Sequence, residues 1–376
     1  MKIAILSCFY PFRGGIAQFN ANLFEELGKA HDVRAYNFSR QYPDLLFPGK
    51  TQYVTPEDEA VPVEAQALLD TADPLSWGRT ARAIRQWGPD LLLVRYWMSW
   101  FAPSLGWVVR PAGCKSVGIL DNVVPHEPHW FDTPLTRWFL RGLSGAVTLC
   151  EEVSRDLLAL RGDIPHTVLP HPIYTHFGQA LPRAEAERIL GLPAGRRTLL
   201  FFGLIREYKG LDILLQAFDL LDGRYQLVIA GEPYGSFDKY RRMIDEGRDP
   251  ASVHVFPEYI RDSQVKDYFS AADLTVLPYR SATQSGISSV SCHFEVPMVV
   301  TAVGGLRETV GARGTGIVCE ECTPACVAAA IKRYFDEPDL QENLREGMRA
   351  EKERLSWSRF SHDLTAFAGR LIQGLQ

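Results

Sequence analysis

Short apolar runs alternate with amphipathic helical segments along this chain, and this alternation restricts the fold more than any other feature. Apolar runs of about four to eight residues between helical patterns are typical of βα units with a parallel sheet. Most of the runs lack a polar face, which indicates that helices cover both faces of the sheet. The runs of the first half are KIAILS, DVRAYNF, DLLLVRYW, SVGILDN and AVTLC.

A second series of the same kind follows a proline-containing stretch, Pro172 to Arg197, which we interpret as the link into a second domain. Its strands are predicted as TLLFFG, YQLVIAG, VHVFP, LTVLP and PMVVT. The 376 residues exceed one ordinary core, and two domains of roughly 150 to 200 residues are expected. The sequence therefore predicts an α/β fold with two doubly wound halves.

Composition excludes several classes of protein. The net charge is −5, from 40 basic and 45 acidic residues, so the chain as a whole has no bias toward nucleic acid. No apolar run approaches the roughly 20 residues of a membrane span, and the first residues resemble a strand rather than a signal peptide. A cytoplasmic location is expected.

The seven cysteines do not suggest a disulfide framework. Cys319, Cys322 and Cys326 form a C-x2-C-x3-C cluster without an obvious fourth ligand. Zinc binding is one interpretation, and packing or surface thiols are the favoured one. No metal site is predicted.

Polar, glycine-containing loops follow the predicted strands, at the edge where ligands bind in such sheets. They are SCFYPFRGGIAQ, FGLIREYKG, GEPYG, YRSATQSG and AVGGLRE. None contains the G-x-x-x-x-G-K-[ST] motif of P-loop NTPases. The first loop lacks G-x-G-x-x-G, which argues against dinucleotide binding.

In the order and spacing of these motifs, the chain resembles a GT-B-fold glycosyltransferase of the retaining family 4 kind over nearly its whole length. The motifs that carry the resemblance are FRGGIAQF, FGLIREYKGLDILLQAF, LVIAGEP, FSAADLTVLPYRSATQSG, PMVVTAVGGLRETV and LSWSRF. It implies two Rossmann-like domains facing across a cleft, residues 1–180 for the acceptor and 190–356 for the donor. It also implies a terminal helix, residues 357–376, that packs back on the first domain.

Arg206 and Lys209 occupy the turn in which the resemblance implies two cations on the donor diphosphate. Breaking a sugar to diphosphate bond leaves negative charge on the phosphates, and cations at that point stabilise the charge as it develops. The alternative is an ordinary charged turn at a helix start. Both side chains are expected in an exposed loop.

Thr283, Gln284, Ser285 and Gly286 form the sequence TQSG before a predicted helix. Small side chains let a diphosphate approach backbone N–H groups, and a helix N-terminus carries roughly half a positive charge. We predict a phosphate cradle here, with a plain helix cap as the alternative.

This loop departs from the common family pattern. Many members carry a pair of glutamates across the loop and helix, the second of which binds the nucleotide ribose. Ala282 and Val290 stand at those positions here. The contacts to the ribose, and with them the identity of the donor, are therefore left open by the resemblance.

In the first domain, Gly14 and Gly15 precede a helix and permit close approach of phosphate or acceptor to the backbone, with a tight turn as the alternative. Many relatives have a histidine near the transferred sugar, and the nearest match is Asp121. His126 lies later in that loop, either orienting the acceptor or packing at the surface. Glu232 and the backbone around Tyr259 and Ile260 match positions that usually surround the nucleotide base.

The resemblance thus implies a metal-independent, retaining transferase that uses a nucleotide diphosphate sugar and a hydroxyl acceptor, without a further cofactor. Surface polysaccharide or glycolipid synthesis is a candidate role. A GT-B nucleotide-sugar 2-epimerase and a catalytically inactive GT-B scaffold are the alternatives. The aromatic stretches RYWMSWFAPSLGW and HWFDTPLTRWFLRGL favour either peripheral membrane contact or a packed helix and pocket wall.

Overall fold

The computed structural model describes residues 1–12, 14–42, 52–54, 62–124, 129–173, 177–281 and 285–374. The chain divides into two compact units, Met1–Pro172 together with Leu355–Gln376, and Ile173–Arg354. Each unit is built on a parallel sheet, which confirms the predicted α/β class. No helix in the described ranges is long and apolar enough to cross a membrane.

The sheet of the first unit is parallel throughout its described strands. These strands are β1 (Lys2–Ser7), β2 (Asp32–Arg40), β3 (Ala65–Asp70), β4 (Leu91–Tyr96), β5 (Lys115–Leu120), β6 (Gly145–Thr148) and β7 (His166–Val168). Their order is β3-β2-β1-β4-β5-β6-β7, so the winding reverses between β1 and β4. The sequence did not predict β3 and β7, because both lie at sheet edges and neither is an apolar run.

Helices cover this sheet between the strands. They are α1 (Gly15–Gly28), α2 (Pro74–Trp87), α3 (Ala102–Val109), α4 (Asp132–Leu140) and α5 (Glu151–Leu160). Asp73 caps the start of α2, where its carboxylate accepts a hydrogen bond from the Leu75 N–H, and Gly88 in the left-handed conformation follows the last residue of the helix. These are the usual start and stop signals of a helix.

The second unit has its own parallel sheet. Its described strands are β8 (Arg197–Phe202), β9 (Tyr225–Ala230), β10 (Val253–Phe256), β11 (Leu274–Leu277), β12 (Met298–Thr301) and β13 (Gly316–Cys319). The order is β10-β9-β8-β11-β12-β13, and the winding reverses between β8 and β11. Loops that follow adjacent strands at such a reversal diverge and leave a crevice in which ligands bind.

Helices on both faces of this second sheet bury its strands. They are α6 (Arg183–Leu190), α7 (Leu211–Phe218), α8 (Asp238–Asp245), α9 (Asp262–Ala271), α10 (Gly286–His293), α11 (Pro324–Asp336) and α12 (Pro338–Arg354). Along β8, Leu199 and Phe201 belong to one apolar cluster, whereas Leu200 and Phe202 belong to another. This alternation explains why β8 has no polar face.

A last helix, α13 (Trp357–Gln373), packs on the sheet of the first unit. Its Leu364 lies in the apolar cluster of Ile3 and Ile5. At Gly145, at the start of β6, an added Cβ would lie 2.5 Å from a methyl group of Leu371. Glycine at this position therefore lets the helix lie close against the sheet.

Candidate active site

The loops that follow β8 and β11 are joined at the reversal point of the second sheet. Gly210 has φ +68°, and a Cβ there would lie 2.0 Å from the carbonyl oxygen of Pro278, so the position requires glycine. The backbone N–H of Arg280 donates to the carbonyl of Tyr208 over 2.7 Å. These contacts fix the turn that carries Arg206 and Lys209 beside the loop that leads to α10.

Lys209 is buried at this junction, with 9% of its surface exposed, so the expectation of an exposed side chain was wrong. Its Nζ lies 3.4 Å from the point that a Cβ on Gly203 would occupy, and 5.8 Å from the ring centroid of Tyr279. Within the described residues the ammonium has no hydrogen-bond or ion-pair partner. Burial, together with the positive charge of Arg206, lowers the pKa of Lys209 to about 8. Holding a lysine largely out of water without a counter-charge costs free energy, and such perturbed groups cluster at functional sites.

Arg206 is exposed and precedes the short 3-10 turn Glu207–Lys209. Its guanidinium carbon lies 4.6 Å from the ring centroid of Tyr234, a cation–π contact. The N–H of Ile205 donates to the carbonyl of Glu232, and the N–H of Tyr234 donates to the carbonyl of Ile205, each over 2.9 Å. The loop after β9 therefore positions Arg206. The sequence reasoning missed Tyr234, for which the only signal was an aromatic residue in the loop GEPYG.

The neighbouring cations, by contrast, are paired. Arg280 forms two hydrogen bonds of 2.9 Å to the carboxylate of Asp212, and it donates to the carbonyl of Glu207 over the same distance. Lys239 lies 3.4 Å from the same carboxylate. Arg280 and Lys239 therefore hold the loop together, whereas Lys209 has no such partner among the residues that the structure describes.

The start of α10 lies against this turn. Ser285 precedes the helix with extended backbone (φ −129°, ψ 116°), and its hydroxyl does not cap the helix but lies 3.3 Å from the hydroxyl of Tyr279. The N–H of Ser288 donates to the carbonyl of Ser285 over 3.2 Å, whereas the N–H groups of Gly286 and Ile287 have no partner among the described residues. An anion at the helix start would find its donors in these two groups. At Gly286 an added Cβ would meet no atom within 4 Å. The side chain of the next residue, Ile287, lies 3.1 Å from the position that a Cβ on Gly203 would occupy.

Not every predicted residue of the site is described. Thr283 and Gln284 of the cradle, Ala282 beside them and His126 of the first unit lie outside the described residues. Glu232 and Tyr259 are exposed after β9 and β10, and Ile260 is buried in the core of the second unit. Ile260 therefore has only its backbone to offer a ligand, as its predicted role requires.

In the first unit, a glycine turn lies between β1 and α1. Gly14 precedes α1 with φ +105°, which only glycine adopts readily, and Gly15 begins the helix. The side-chain amide of Asn20 donates to the hydroxyl of Ser7 and to the carbonyl of Cys8, each over 2.8 Å. Asn20 thus ties the helix to the loop and sets the direction in which the first N–H groups of α1 point.

Asp121, directly after β5, is paired with an arginine that the sequence reasoning missed. Arg95 donates from Nε to Asp121 Oδ2 over 2.7 Å and from Nη2 to Oδ1 over 2.5 Å. The Arg95 side chain is 3% exposed, and its guanidinium carbon lies 3.6 Å from the ring centroid of Phe19. The indication of Arg95 in the sequence was a single arginine inside the apolar run LLLVRY. The pair orients the Asp121 carboxylate, whose catalytic role remains a prediction.

Family models match both units. Residues 182–351 match the family described as glycosyl transferases group 1, and residues 14–172 match the glycosyl transferase 4-like domain.

Within the described residues no group of three or more histidine, cysteine or acidic side chains could hold a metal ion.

Curated relatives extend the match over most of the chain. D-inositol 3-phosphate glycosyltransferase 1 of Catenulispora acidiphila is 31% identical over 76% of this chain and 73% of its own length. D-inositol 3-phosphate glycosyltransferase of Thermomonospora curvata is 32% identical over 71% of this chain and 68% of its own.

Solved structures show the same fold at lower identity. Sucrose-phosphate synthase from Thermosynechococcus elongatus has 17% identity and a TM-score of 0.61, with 100% of both chains covered. Anabaena HepE in complex with UDP has 15% identity and a TM-score of 0.63, with 98% of this chain and 100% of its own covered. Together with the curated relatives, these matches show that the chain belongs to the glycosyl transferases group 1 family and is a GT-B-fold glycosyltransferase.

Proposed function

We propose that this glycosyltransferase moves a sugar from a nucleoside diphosphate sugar to a hydroxyl acceptor with retention of the anomeric configuration, in surface polysaccharide or glycolipid synthesis. The observation that carries the proposal is the largely buried Lys209 side chain, whose ammonium has no counter-charge among the described residues. Arg206 belongs to the same junction of loops, as does the start of α10, which has no side-chain cap in the described part of the chain. Two cations and a helix N-terminus together suit a diphosphate better than a single charge.

The proposed chemistry assigns each of these groups a task. The bond between the anomeric carbon and the diphosphate oxygen breaks, and the electron pair leaves with the nucleoside diphosphate. The acceptor hydroxyl oxygen bonds to the same carbon, and its proton passes to the diphosphate oxygen that leaves. Arg206, Lys209 and the first N–H groups of α10 stabilise the negative charge that accumulates on the leaving diphosphate, which lowers the barrier more than it strengthens ground-state binding.

A thermal-shift screen with UDP, GDP, ADP and their sugars tests this function. UDP is the first candidate, because the solved HepE structure contains UDP. A ligand at about 100 times its Kd should stabilise the fold by roughly 2.7 kcal/mol, a readily measured shift. Donor hydrolysis or transfer should then be detectable with the ligand that stabilises the protein. If no nucleotide shifts the transition and no donor is turned over, the inactive scaffold becomes the better description.

The 2-epimerase alternative is not favoured by relatives named as glycosyltransferases. An epimerase would convert the donor sugar without an acceptor and leave its C2 configuration inverted. Proton NMR of the sugar released from the active donor distinguishes the two, since transfer or hydrolysis preserves C2.

We expect activity to survive metal chelation. The cations and helix N-terminus at the junction supply positive charge to the diphosphate, which is the task that a divalent metal performs in other transferases. Initial rates measured with and without excess EDTA should therefore agree within a factor of two. Complete loss in EDTA that manganese restores would contradict metal independence.

We further propose peripheral contact of the first unit with the cytoplasmic face of a membrane. Trp107 and Trp130 support it, because their side chains are 55% and 89% exposed and indole rings favour the membrane interface. A Trp107→Ser/Trp130→Ser variant should sediment less with lipid vesicles than the parent protein does. Equal sedimentation of the two proteins would argue against this contact.

A further inference from the structure

A basic cavity lies in the first unit, at the edge of the sheet away from the predicted acceptor loops. Its volume is about 380 Å³. The residues that line it are Arg137, Arg141, Leu160, Arg161, Gly162 and Asp163. They belong to the carboxyl ends of α4 and α5 and the turns after them, which lead into β6 and β7. The cavity lies where the chain enters β6 and β7, at the amino ends of these strands. Gly14 and Asp121 follow the carboxyl ends of β1 and β5, so the cavity is separate from the predicted acceptor site.

One of the three arginines has a structural task. Arg161 Nη1 donates to the carbonyl of Leu140 and, over 3.1 Å, to the carbonyl of Leu143. Its Nε lies 3.4 Å from the carboxylate of Asp163. These bonds satisfy carbonyl groups at the end of α4 and offset the partial negative charge of that helix terminus. Arg161 is therefore fixed in place at the wall of the cavity.

Arg137 and Arg141 have no such task. Both side chains are exposed, and neither forms a hydrogen bond or an ion pair within the described part of the chain. Among the described residues, Asp163 is the only acidic one that lines the cavity, and it already pairs with Arg161. The charges of the other two guanidinium groups are therefore not offset by an acidic residue of the described cavity wall. Two solvated surface arginines are the alternative interpretation.

We propose that this cavity binds a phosphate ester, with Arg137 and Arg141 as the main ligands and Arg161 as a fixed third contact. A guanidinium presents paired N–H donors that match phosphate oxygens, which makes arginine well suited to this group. Leu160 and Gly162 supply a less polar wall for the carbon-bearing part of the ester. The volume suits a phosphate with a small polar group attached.

The test compares two double variants of the whole chain. Arg137→Gln/Arg141→Gln removes the two unpaired guanidinium groups, and Arg82→Gln/Arg85→Gln removes the same charge from exposed positions on α2. One arm measures sedimentation with vesicles of phosphatidylcholine alone or mixed with phosphatidylglycerol. The other arm titrates glycerol phosphate calorimetrically in the Arg206→Ala background, which weakens the proposed donor site as a competing phosphate site.

We expect the Arg137→Gln/Arg141→Gln variant to bind at least ~10-fold more weakly in one arm or both, while the α2 variant matches its parent. Loss confined to the phosphatidylglycerol vesicles would identify a lipid headgroup, and loss in the titration would identify a soluble phosphate ester. If the parent protein binds in neither arm, or if the two double variants bind equally, the cavity is not a phosphate site.

Discussion

Lys209→Met and Arg206→Ala should each lower turnover by at least ~100-fold. Removing one preorganised donor to developing negative charge costs about 10²- to 10³-fold in kcat, or roughly 2.7 to 4 kcal/mol. Both groups are expected to face charge that grows as the bond to diphosphate breaks, so kcat should fall more than KM rises. Steady-state rates with the donor found by thermal shift provide the measurement. Full activity of either variant would remove that residue from the site.

Lys209→Met should not lower the free energy of unfolding, although the Lys209 side chain is buried. The folded-state pKa of about 8 lies below the ordinary value of 10.5, so the charged form destabilises the folded chain. This cost is present in full below pH 8 and disappears as the pH rises past 10.5. Lys209→Met should therefore be at least as stable as the parent at pH 7, with an advantage that shrinks between these two pH values.

Denaturant unfolding at several pH values checks this, with Lys332→Met as the control because Lys332 is exposed on α11. The control should show no pH-dependent difference from the parent in this range. A large loss of stability in Lys209→Met at pH 7 would indicate that the ammonium has a stabilising partner, and it would contradict an anion site at Lys209.

Gly286→Val should abolish donor binding while the protein remains folded. A Cβ at Gly286 would meet no protein atom within 4 Å, and valine has a higher helix propensity than glycine, so the chain itself tolerates the change. The isopropyl group would instead occupy the space through which a diphosphate reaches the first N–H groups of α10. Calorimetric titration with the identified nucleotide should show no binding.

Two controls separate a cradle from a helix cap. Gly78→Val changes a glycine of α2 that also has open space around it, and it should bind donor as the parent does. Ser281→Ala removes a hydroxyl from the loop before α10 and should have a mild effect. Equal losses in Ser281→Ala and Gly286→Val would mean that the loop acts only as a cap.

Local patterns in the sequence were sufficient to predict the secondary-structure elements around the site. The apolar run of β8, the turn that carries Arg206 and Lys209, and the helix start at Gly286 could all be located without a structure. They could be located because strands buried on both faces are continuous apolar runs and because helix starts favour small residues. The order of these motifs also indicated the family, which the relatives confirmed.

Two glycines near the site are required for different reasons. Gly14 adopts a positive φ before α1, and Gly210 allows its backbone to approach the carbonyl of Pro278. The first is a local requirement that a glycine-rich loop can reveal. The second depends on a residue far along the chain, and only the folded sheet places the two together.

Tertiary structure alone decided the electrostatics of the site. The order β8-β11 in the second sheet brings together loops separated by about 70 residues, and this contact buries Lys209 and lowers its pKa. In the same way, adjacent β4 and β5 place Arg95 against Asp121. Sequence patterns report which residues share a helix or strand, whereas burial and pairing of charges depend on the strands that happen to be neighbours, a long-range property that no local pattern contains.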